Sequence, residues 1–298
     1  MTYVVIGGTG TLGSELMRQI LKKEPEAKIT CMSRDELKQQ MARREFPGVR
    51  FMIGDIRDRQ ALKRALWGTT TVFHCAAMKH IDSCEANPVE AIKTNLIGAI
   101  NVADVATSCN VNYVVFSNTD KACLPITTYG YTKALAQTCL LQMNQSSRTR
   151  YSSFAWGNII ASRGSVIHTF VDSILESGTV NITDVRMTRF WLRIEDAVRF
   201  MLASYKAAPV DRAVIPPVKA ALVTRVAESI SRILAVKKLS MIVTGLRGTE
   251  KLHEVLETSH EACIRSDTCE QYTTEELDAL LWPIVLKLAG DFKGKATA

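Results

Sequence analysis

Short apolar runs alternate with longer amphipathic stretches along the first half of the chain. The runs that fit strands lie at residues 3–6, 28–31, 49–53, 71–75, 113–117, 152–156 and 213–215. Stretches with a helical period lie at residues 12–23, 36–44, 59–67, 89–109 and 129–144. Strands that alternate with helices predict an α/β fold with a doubly wound parallel sheet, covered by helices on both faces.

The alternation weakens after residue 156, where helical periods mix with isolated short strands. We therefore predict a sheet domain at residues 1–157, completed by about residues 190–216. A smaller C-terminal lobe at 158–189 and 217–298 is where a substrate would bind. No glycine follows the helix predicted to end at residue 109, so we expect Asn110 to cap it in the left-handed conformation.

Composition sets wider limits. The chain carries 37 Lys and Arg against 30 Asp and Glu, an excess of +7 that suits an anionic ligand. No basic run is interleaved with aromatic residues, so no nucleic-acid partner is expected. The eight cysteines include no C-x-x-C pair or zinc-like cluster, so we predict reduced thiols and no metal. Without a signal peptide or an apolar run near 18 residues, the expected protein is cytoplasmic and makes no membrane contact.

A glycine-rich segment joins the first predicted strand to the first predicted helix. It has the spacing G-x-x-G-x-x-G, and the residues that we assign to cofactor binding there are Gly7, Thr9, Gly10, Thr11, Leu12 and Gly13. Glycines allow a sharp turn and close approach to a pyrophosphate, and the helix N-terminus favours the anion. The sequence therefore predicts a dinucleotide in a Rossmann-type domain.

Further cofactor contacts are expected where the next strands end. After the second strand, Arg34 with Lys38 favours a 2′-phosphate, whereas the Asp35 carboxylate favours a free ribose hydroxyl or caps the following helix. We expect NADP, with NAD as the alternative. The other residues assigned to the cofactor at these strand ends are Ser33, Asp55, Ile56, Cys75, Ala76 and Ala77.

Two pairs of side chains carry the candidate chemistry. Tyr129 and Lys133 are four residues apart and share one helical face, so the ammonium can help the phenol to act as a base. Asp120 and Lys121 add an acid and a base just upstream. These four residues predict oxidation and elimination at one site, and Tyr129 and Lys133 are expected to contact the cofactor as well.

The glycine turn and Tyr129-x-x-x-Lys133 resemble the extended short-chain dehydrogenase/reductase superfamily. Longer strings are similar to the inverting UDP-N-acetylglucosamine 4,6-dehydratases of polysaccharide biosynthesis, over roughly residues 2–257. These strings lie at residues 33–38, 54–58, 76–80, 119–122, 162–167, 187–191 and 250–254. The Asp120-Lys121 pair is the discriminating detail, because retaining dehydratases resemble this scheme with Asp-Glu.

The resemblance implies a mechanism. Tyr129, assisted by Lys133, takes the proton of the carbon-4 hydroxyl as hydride leaves carbon 4. Neutral Lys121 removes the carbon-5 hydrogen, and Asp120 protonates the departing carbon-6 hydroxyl. Hydride returns to carbon 6, and carbon 5 is reprotonated from the opposite face.

The same resemblance implies further contacts. Lys79 and Asn95 are expected at the cofactor. The residues expected at the UDP-sugar are Lys79, Thr119, Asn158, Arg163, Gly164, Ser165, Arg189, Arg247 and Glu250. Helices 89–109 and 129–144 resemble those of the family's dimer interface, so a homo-oligomer is expected.

The chain also departs from the family pattern. Asn118 stands for the usual Ser, Ala155-Trp156 for Arg-Tyr, and Gly248-Thr249 for Pro-Gly. These departures leave the four catalytic candidates intact, but they bear on which sugar is bound and on the product's stereochemistry. The alternatives are a UDP-sugar 4-epimerase, another enzyme of the superfamily, or an NADP-sensing protein without turnover.

Overall fold

The computed structural model describes residues 1–160, 162, 164–259 and 262–296. Arg163, one of the predicted substrate contacts, lies outside the described residues. The chain forms two compact units. The first comprises residues 1–156, 194–216 and 257–263, and the second comprises 157–193, 217–256 and 264–298.

The strands follow the predicted apolar runs and continue into the second unit. They are β1 (Thr2–Ile6), β2 (Lys28–Ser33), β3 (Arg50–Ile53), β4 (Thr71–His74), β5 (Tyr113–Thr119), β6 (Arg150–Trp156), β7 (Asn158–Ile159), β8 (Thr179–Ile182), β9 (Thr188–Leu192), β10 (Ala213–Val214), β11 (Lys219–Leu222), β12 (Ser240–Val243), β13 (Val255–Ser259) and β14 (Ala262–Arg265).

The α-helices are α1 (Thr11–Lys23), α2 (Glu36–Glu45), α3 (Arg59–Leu66), α4 (Ile81–Ala86), α5 (Pro88–Ala91), α6 (Gly98–Ser108), α7 (Thr128–Gln142), α8 (Val166–Ser177), α9 (Ile194–Ser204), α10 (Val223–Ile233) and α11 (Thr274–Ala296). A π-helical segment covers Ile92–Ile97, and 3₁₀ turns cover Asp120–Ala122 and Met143–Gln145. Among the described residues, no helix has the length and hydrophobicity that a membrane crossing requires.

The first unit is built on a seven-stranded sheet in the order β10-β6-β5-β4-β1-β2-β3. The strands run parallel, with Ile6 of β1 opposite both Met32 of β2 and His74 of β4. The strand order therefore reverses at β1, and ligands of open α/β sheets bind beyond the carboxyl ends of the strands at such a point. This topology confirms the predicted Rossmann-type parallel sheet.

Helices cover both faces of this sheet, which explains why the central strands β1 and β4 are buried along their length rather than at alternate residues. One buried cluster joins Leu62 of α3, Val102 of α6 and Leu140 of α7 to Val72 and Val114 of the central strands. Burial of such side chains is worth about 1.5–3 kcal/mol each. The rigid layer fixes the loops at the carboxyl edge, where the candidate residues lie.

The helix predicted at residues 89–109 is interrupted. It consists of α5, the π-helical segment Ile92–Ile97 and α6. The wider turn accompanies the inward placement of Asn95, which is 2% exposed and bonds to the main chain at Met78. A helical period in sequence cannot reveal this one-residue insertion. The end of α6 is as predicted, with Asn110 at φ 55°.

The second unit has its own core and smaller sheets. Its three-stranded sheet has the order β11-β9-β7, and β8 pairs with β12. Trp191 of β9 packs with Phe170 of α8, Val226 of α10 and Leu281 of α11. The segment 190–216 was predicted to complete the large sheet. Its strand β10 joins that sheet, whereas β9 belongs to the second unit.

Candidate active site

The glycine turn has the close packing that a phosphate-binding turn needs. Gly7 adopts φ 81°, and a Cβ there would lie 2.7 Å from the Ala76 nitrogen. A Cβ at Gly13 would lie 2.5 Å from the Gly7 carbonyl oxygen. Helix α1 begins at Thr11 and Leu12, directly after Gly10, and no side chain caps its N-terminus. Its first turn contains no acidic residue. An anion can therefore approach these backbone N–H groups.

The residues after β2 are engaged with one another. Asp35 is the N-cap of α2, accepting from the Lys38 backbone N at 2.9 Å, and its carboxylate pairs with Lys38 Nζ at 2.7 Å. The Lys38 bond holds the pKa of Asp35 below its ordinary value. Arg34 lies 3.5 Å from Asp55 and is half exposed. The Ser33 hydroxyl accepts from Gln39 at 3.0 Å.

The loop after β4 lies against the glycine turn, and hydrogen bonds from Asn95 to Met78 hold it in place. Ala76 is the neighbour of Gly7, and Cys75 and Ala77 flank it. Asn95 accepts from Met78 N at 2.8 Å and donates to Met78 O at 2.9 Å. Asn95 therefore clamps the main chain at Met78, a role that the sequence analysis missed. Lys79 lies one residue further along this loop, and Ile56 is buried after β3.

The acid and base candidates lie in the 3₁₀ turn that follows β5. Asp120 is fully buried, and Lys121 Nζ donates to its Oδ1 at 2.9 Å. Thr119 donates to the same oxygen at 2.9 Å. A Cβ at Gly130 would lie 2.4 Å from the Lys121 carbonyl oxygen, so glycine lets α7 approach this turn. That approach brings Tyr129 to Thr119 and Lys121.

Tyr129 is buried, and the burial raises the pKa of its phenol to about 12. Lys121 and a hydrogen bond with Thr119 act in the opposite direction and lower that pKa. The phenol is therefore protonated at neutral pH. The sequence analysis assigned the assisting cation to Lys133, whereas in the structure Lys121 makes the largest lowering contribution.

Lys133 lies beneath the turn rather than in solvent. Its ammonium donates to the Ser117 carbonyl at 2.6 Å and lies 3.8 Å from the centre of the Phe116 ring. Burial lowers the pKa of Lys133 to about 7, and Cys75 partly opposes this. Burial also lowers the pKa of His74 to about 3, so this imidazole packs in neutral form against Phe116.

The departures Asn118 and Trp156 belong to the packed interior of the first unit. Asn118 donates to Gln137 at 2.5 Å, and Ser153 donates to the same oxygen at 2.8 Å. Trp156 donates to the Ser117 hydroxyl at 3.1 Å. Gln137 was not predicted, although its spacing of four residues from Lys133 places it on the same face of α7.

The remaining predicted substrate residues lie in the second unit. Arg189 is buried and donates to the carbonyls of Thr188, Lys251 and Leu252 at 2.7, 2.9 and 3.2 Å. It therefore holds the main chain of 251–252. Arg247 is exposed, and its backbone N lies 3.4 Å from the Glu250 carboxylate. Asn158 begins β7, Gly164 has φ 71°, and Ser165 precedes α8.

Comparisons with known proteins agree with this architecture. The polysaccharide biosynthesis protein family matches residues 3–276. A UDP-N-acetylglucosamine 4,6-dehydratase (inverting) of Campylobacter jejuni is 37% identical over 265 residues, 87% of this chain and 78% of that protein. A UDP-glucose 4-epimerase of Rickettsia bellii is 33% identical over 279 residues, 91% of this chain and 82% of that protein.

Solved structures show the same fold. The X-ray structure of Pen from Bacillus thuringiensis aligns with a TM-score of 0.87 at 29% identity, covering 95% of this chain and 97% of that one. The dTDP-glucose 4,6-dehydratase DesIV from Streptomyces venezuelae aligns at 0.78 with 20% identity, covering 99% and 98%. The chain belongs to the polysaccharide biosynthesis protein family and has the fold of the extended short-chain dehydrogenase/reductase enzymes.

Proposed function

We propose that this protein is a sugar-nucleotide 4,6-dehydratase that acts on UDP-N-acetylglucosamine with NADP and inverts carbon 5. The observation that carries the proposal is the Asp120–Lys121 pair in the turn after β5, against which the buried Tyr129 and the start of α7 pack. An epimerase needs no acid and base for elimination, whereas a dehydratase needs both. The 37% identity to a protein of that name supports the same assignment.

Each side chain has a separate task in this reaction. Bound at the glycine turn and the loop after β4, the dinucleotide supplies a hydride acceptor that later returns the hydride. Tyr129 receives the proton of the carbon-4 hydroxyl in its phenolate form, which the charge of Lys121 favours. Lys121, in its neutral form, takes the carbon-5 proton that the new ketone acidifies, and Asp120 protonates the carbon-6 hydroxyl as it leaves as water. Lys121 releases its proton to solvent, and a solvent proton reaches the opposite face of carbon 5.

We propose NADP because the Asp35 carboxylate is occupied. Its two oxygens are engaged by the backbone and the ammonium of Lys38, so it is poorly placed to accept from a ribose hydroxyl. Arg34 is half exposed and can offer two N–H groups to a 2′-phosphate. Arg34→Ala should weaken NADP binding about tenfold or more and leave NAD binding nearly unchanged. Equal losses for both dinucleotides in a fluorescence titration would refute this preference.

The nucleotide-sugar contacts remain proposals from the resemblance. We assign the UDP group to the residues that match the family's strings, which are Lys79, Asn158, Arg163, Gly164, Ser165, Arg247 and Glu250. We assign Arg189 to UDP binding as well. It supports the neighbouring segment 251–252 by hydrogen bonds to its main-chain carbonyls. Thr119 is assigned to the sugar.

We propose a homodimer formed through α7 and the helical segments before it. Tyr131 and Leu135, one turn apart on α7, are 52% and 54% exposed, and Ile92 and Ile97 are 43% and 45% exposed. Exposed apolar side chains on neighbouring helices are typical of a subunit interface. Leu135→Glu should shift the mass measured by light scattering toward a monomer.

A cytoplasmic location completes the proposal. The cysteines at positions 31, 75, 84, 109, 123, 139 and 269 are free thiols, which fits a reducing compartment.

The decisive experiment is incubation with UDP-N-acetylglucosamine and NADP in deuterated water, followed by NMR. We expect a carbon-6 methyl group, deuterium at carbon 5 and inverted configuration there. Epimerisation at carbon 4 without loss of water would establish the alternative enzyme. Dinucleotide binding without any reaction or nucleotide-sugar binding would establish a sensor.

A further inference from the structure

Helix α7 begins at Thr128, one residue before Tyr129, so its first turn sets the position of the phenol. The backbone N–H groups of a first turn have no partners inside the helix. In α7 the Thr127 hydroxyl accepts from the Gly130 N–H at 3.1 Å. The N–H of Thr128 is satisfied from another helix, because Glu85 of α4 accepts from it at 2.6 Å.

The Glu85 carboxylate holds Thr128 at two points. Its Oε1 accepts from the Thr128 backbone N, and its Oε2 accepts from the Thr128 hydroxyl at 3.1 Å. A carboxylate at a helix N-terminus lies at the positive end of the helix dipole, where its bonds from N–H groups are charge-assisted. The two residues are 43 positions apart in sequence, so these bonds fix how α4 and α7 pack.

Helix α4 also contacts Tyr129 itself. Cys84, the residue before Glu85, is buried and packs with Tyr129 and Met78. The Cys84 thiol donates to the Met78 carbonyl at 3.7 Å. Met78 belongs to the loop after β4, where we expect the dinucleotide to bind. Helix α4 therefore connects this loop to the first turn of α7.

We propose that Glu85 is a positioning residue, which fixes Tyr129 for its reaction by holding the first turn of α7 against α4. This inference rests on the proposed dehydratase function. Glu85 acts through Tyr129 rather than on the sugar. The phenol must lie within hydrogen-bond reach of the carbon-4 hydroxyl while carbon 4 faces the dinucleotide. A displacement of about 1 Å in such an arrangement can slow a reaction by about 10²-fold.

Tyr129 depends on this contact more than Lys133 does. Tyr129 lies in the first turn of α7, and the ends of a helix fray. Lys133 lies one turn further along, where its ammonium donates to the Ser117 carbonyl at 2.6 Å. Loss of Glu85 should therefore displace the phenol while the position of Lys133 changes little. The rate of the chemical step should fall, and the affinity for NADP should not.

Substitutions of Glu85 test this role. Glu85 is exposed, so Glu85→Ala leaves no cavity. We expect Glu85→Ala to lower the first-order rate constant of a single turnover by about 10–10²-fold. Glu85→Gln keeps an acceptor oxygen for the Thr128 N–H and should recover most of this rate. A partly unfolded sample would lower the amplitude of the turnover and leave the rate constant unchanged. NADP binding, measured by fluorescence, should stay within about threefold in both variants.

Thr128→Pro removes the same contact from the other side. It deletes both the N–H and the hydroxyl, and proline is well tolerated at the first position of a helix. Thr127 has φ −132° and ψ 155°, a conformation that suits the residue before proline. We expect the same slowing as in Glu85→Ala, and no further slowing in the double variant.

Glu276→Ala is the matched control. Glu276 is an exposed glutamate that accepts from the Thr273 backbone N at 3.0 Å, at the start of α11 in the second unit. Its loss removes a similar bond at a helix N-terminus without affecting α7. The single-turnover rate constant of Glu276→Ala should equal that of the wild type.

The outcomes separate this role from the proposed function. If the wild type forms no dehydrated product, the dehydratase assignment fails and the role of Glu85 fails with it. If the wild type dehydrates while Glu85→Ala or Thr128→Pro reacts within about threefold of its rate constant, only the positioning role is wrong. That role is also wrong if Glu85→Gln is as slow as Glu85→Ala, because the charge of Glu85 would then act rather than its hydrogen bonds.

Discussion

Burial of Lys133 makes a prediction that needs no ligand. The folded protein lowers the pKa of this ammonium from 10.5 to about 7. Since each pKa unit is worth about 1.36 kcal/mol, the charged form destabilises the fold by about 5 kcal/mol relative to an ordinary lysine. Below pH 7 both the folded and the unfolded chain carry the proton, so the whole cost is present. Between pH 7 and 10.5 only the unfolded chain carries it, so stability rises with pH.

Lys133→Met removes this titration. We expect the free energy of unfolding of the wild type to gain about 2 kcal/mol relative to the variant between pH 7 and 9, because the folded protein loses this proton over these two pH units while the unfolded chain keeps it. Loss of the Ser117 bond and the Phe116 ring contact shifts the variant's stability at every pH without creating this slope. Urea denaturation of the ligand-free protein at pH 6, 7, 8 and 9 measures the difference.

Exposed Lys63 of α3 provides the matched control. The curves of Lys63→Met and the wild type should run parallel, since this side chain is exposed to solvent in the folded protein as it is in the unfolded chain. Titrations of groups remote from Lys133 are common to all three proteins and cancel. Parallel curves for Lys133→Met and the wild type would refute the reasoning, because the ammonium would then be well solvated in the fold.

Three further predictions follow from single contacts. Gly13→Ala should abolish dinucleotide binding in a fluorescence titration, because its Cβ would collide with the Gly7 carbonyl; Gly48→Ala, in open space, is the control. Asn95→Ala breaks the clamp on Met78 and should cost about 1–3 kcal/mol of unfolding free energy in urea, and an unchanged midpoint would contradict the clamp. Lys121→Glu should lose carbon-5 exchange in D₂O and slow oxidation too, whereas normal oxidation would show that its charge does not act on the phenol.

The fold could be predicted because it follows from local patterns. Alternating apolar runs and helical periods predict the parallel sheet, and the glycine spacing marks its first turn. The π-helical segment at Ile92–Ile97 could not be predicted, since its extra residue leaves the surrounding helical period almost unchanged. The clamp at Asn95 lies in that segment, so spacing did not predict it, and the assignment of this residue to the cofactor stays a prediction from the resemblance.

The candidate site shows the same division. Spacing alone places Tyr129 and Lys133 on one helical face. Spacing does not show how deeply each side chain is buried, and this burial decides which cation acts on the phenol. Lys133 is drawn to the Ser117 carbonyl beneath the site, while the close approach at Gly130 brings the Lys121 turn to Tyr129. A tertiary contact therefore changed the electrostatic partner that sequence reasoning selected.

The charge of Lys121 acts on two groups at once. It contacts Asp120 directly, and it lowers the pKa of Tyr129. A carboxylate in its place would add a negative charge beside both groups, which would raise the pKa of the phenol and of the Asp120 carboxyl. The charge of the side chain after Asp120 therefore affects more than the face from which carbon 5 is deprotonated. It also sets how readily the phenol loses its proton and becomes the base of the oxidation step, so the oxidation and elimination halves of the site are coupled through the side chain of Lys121.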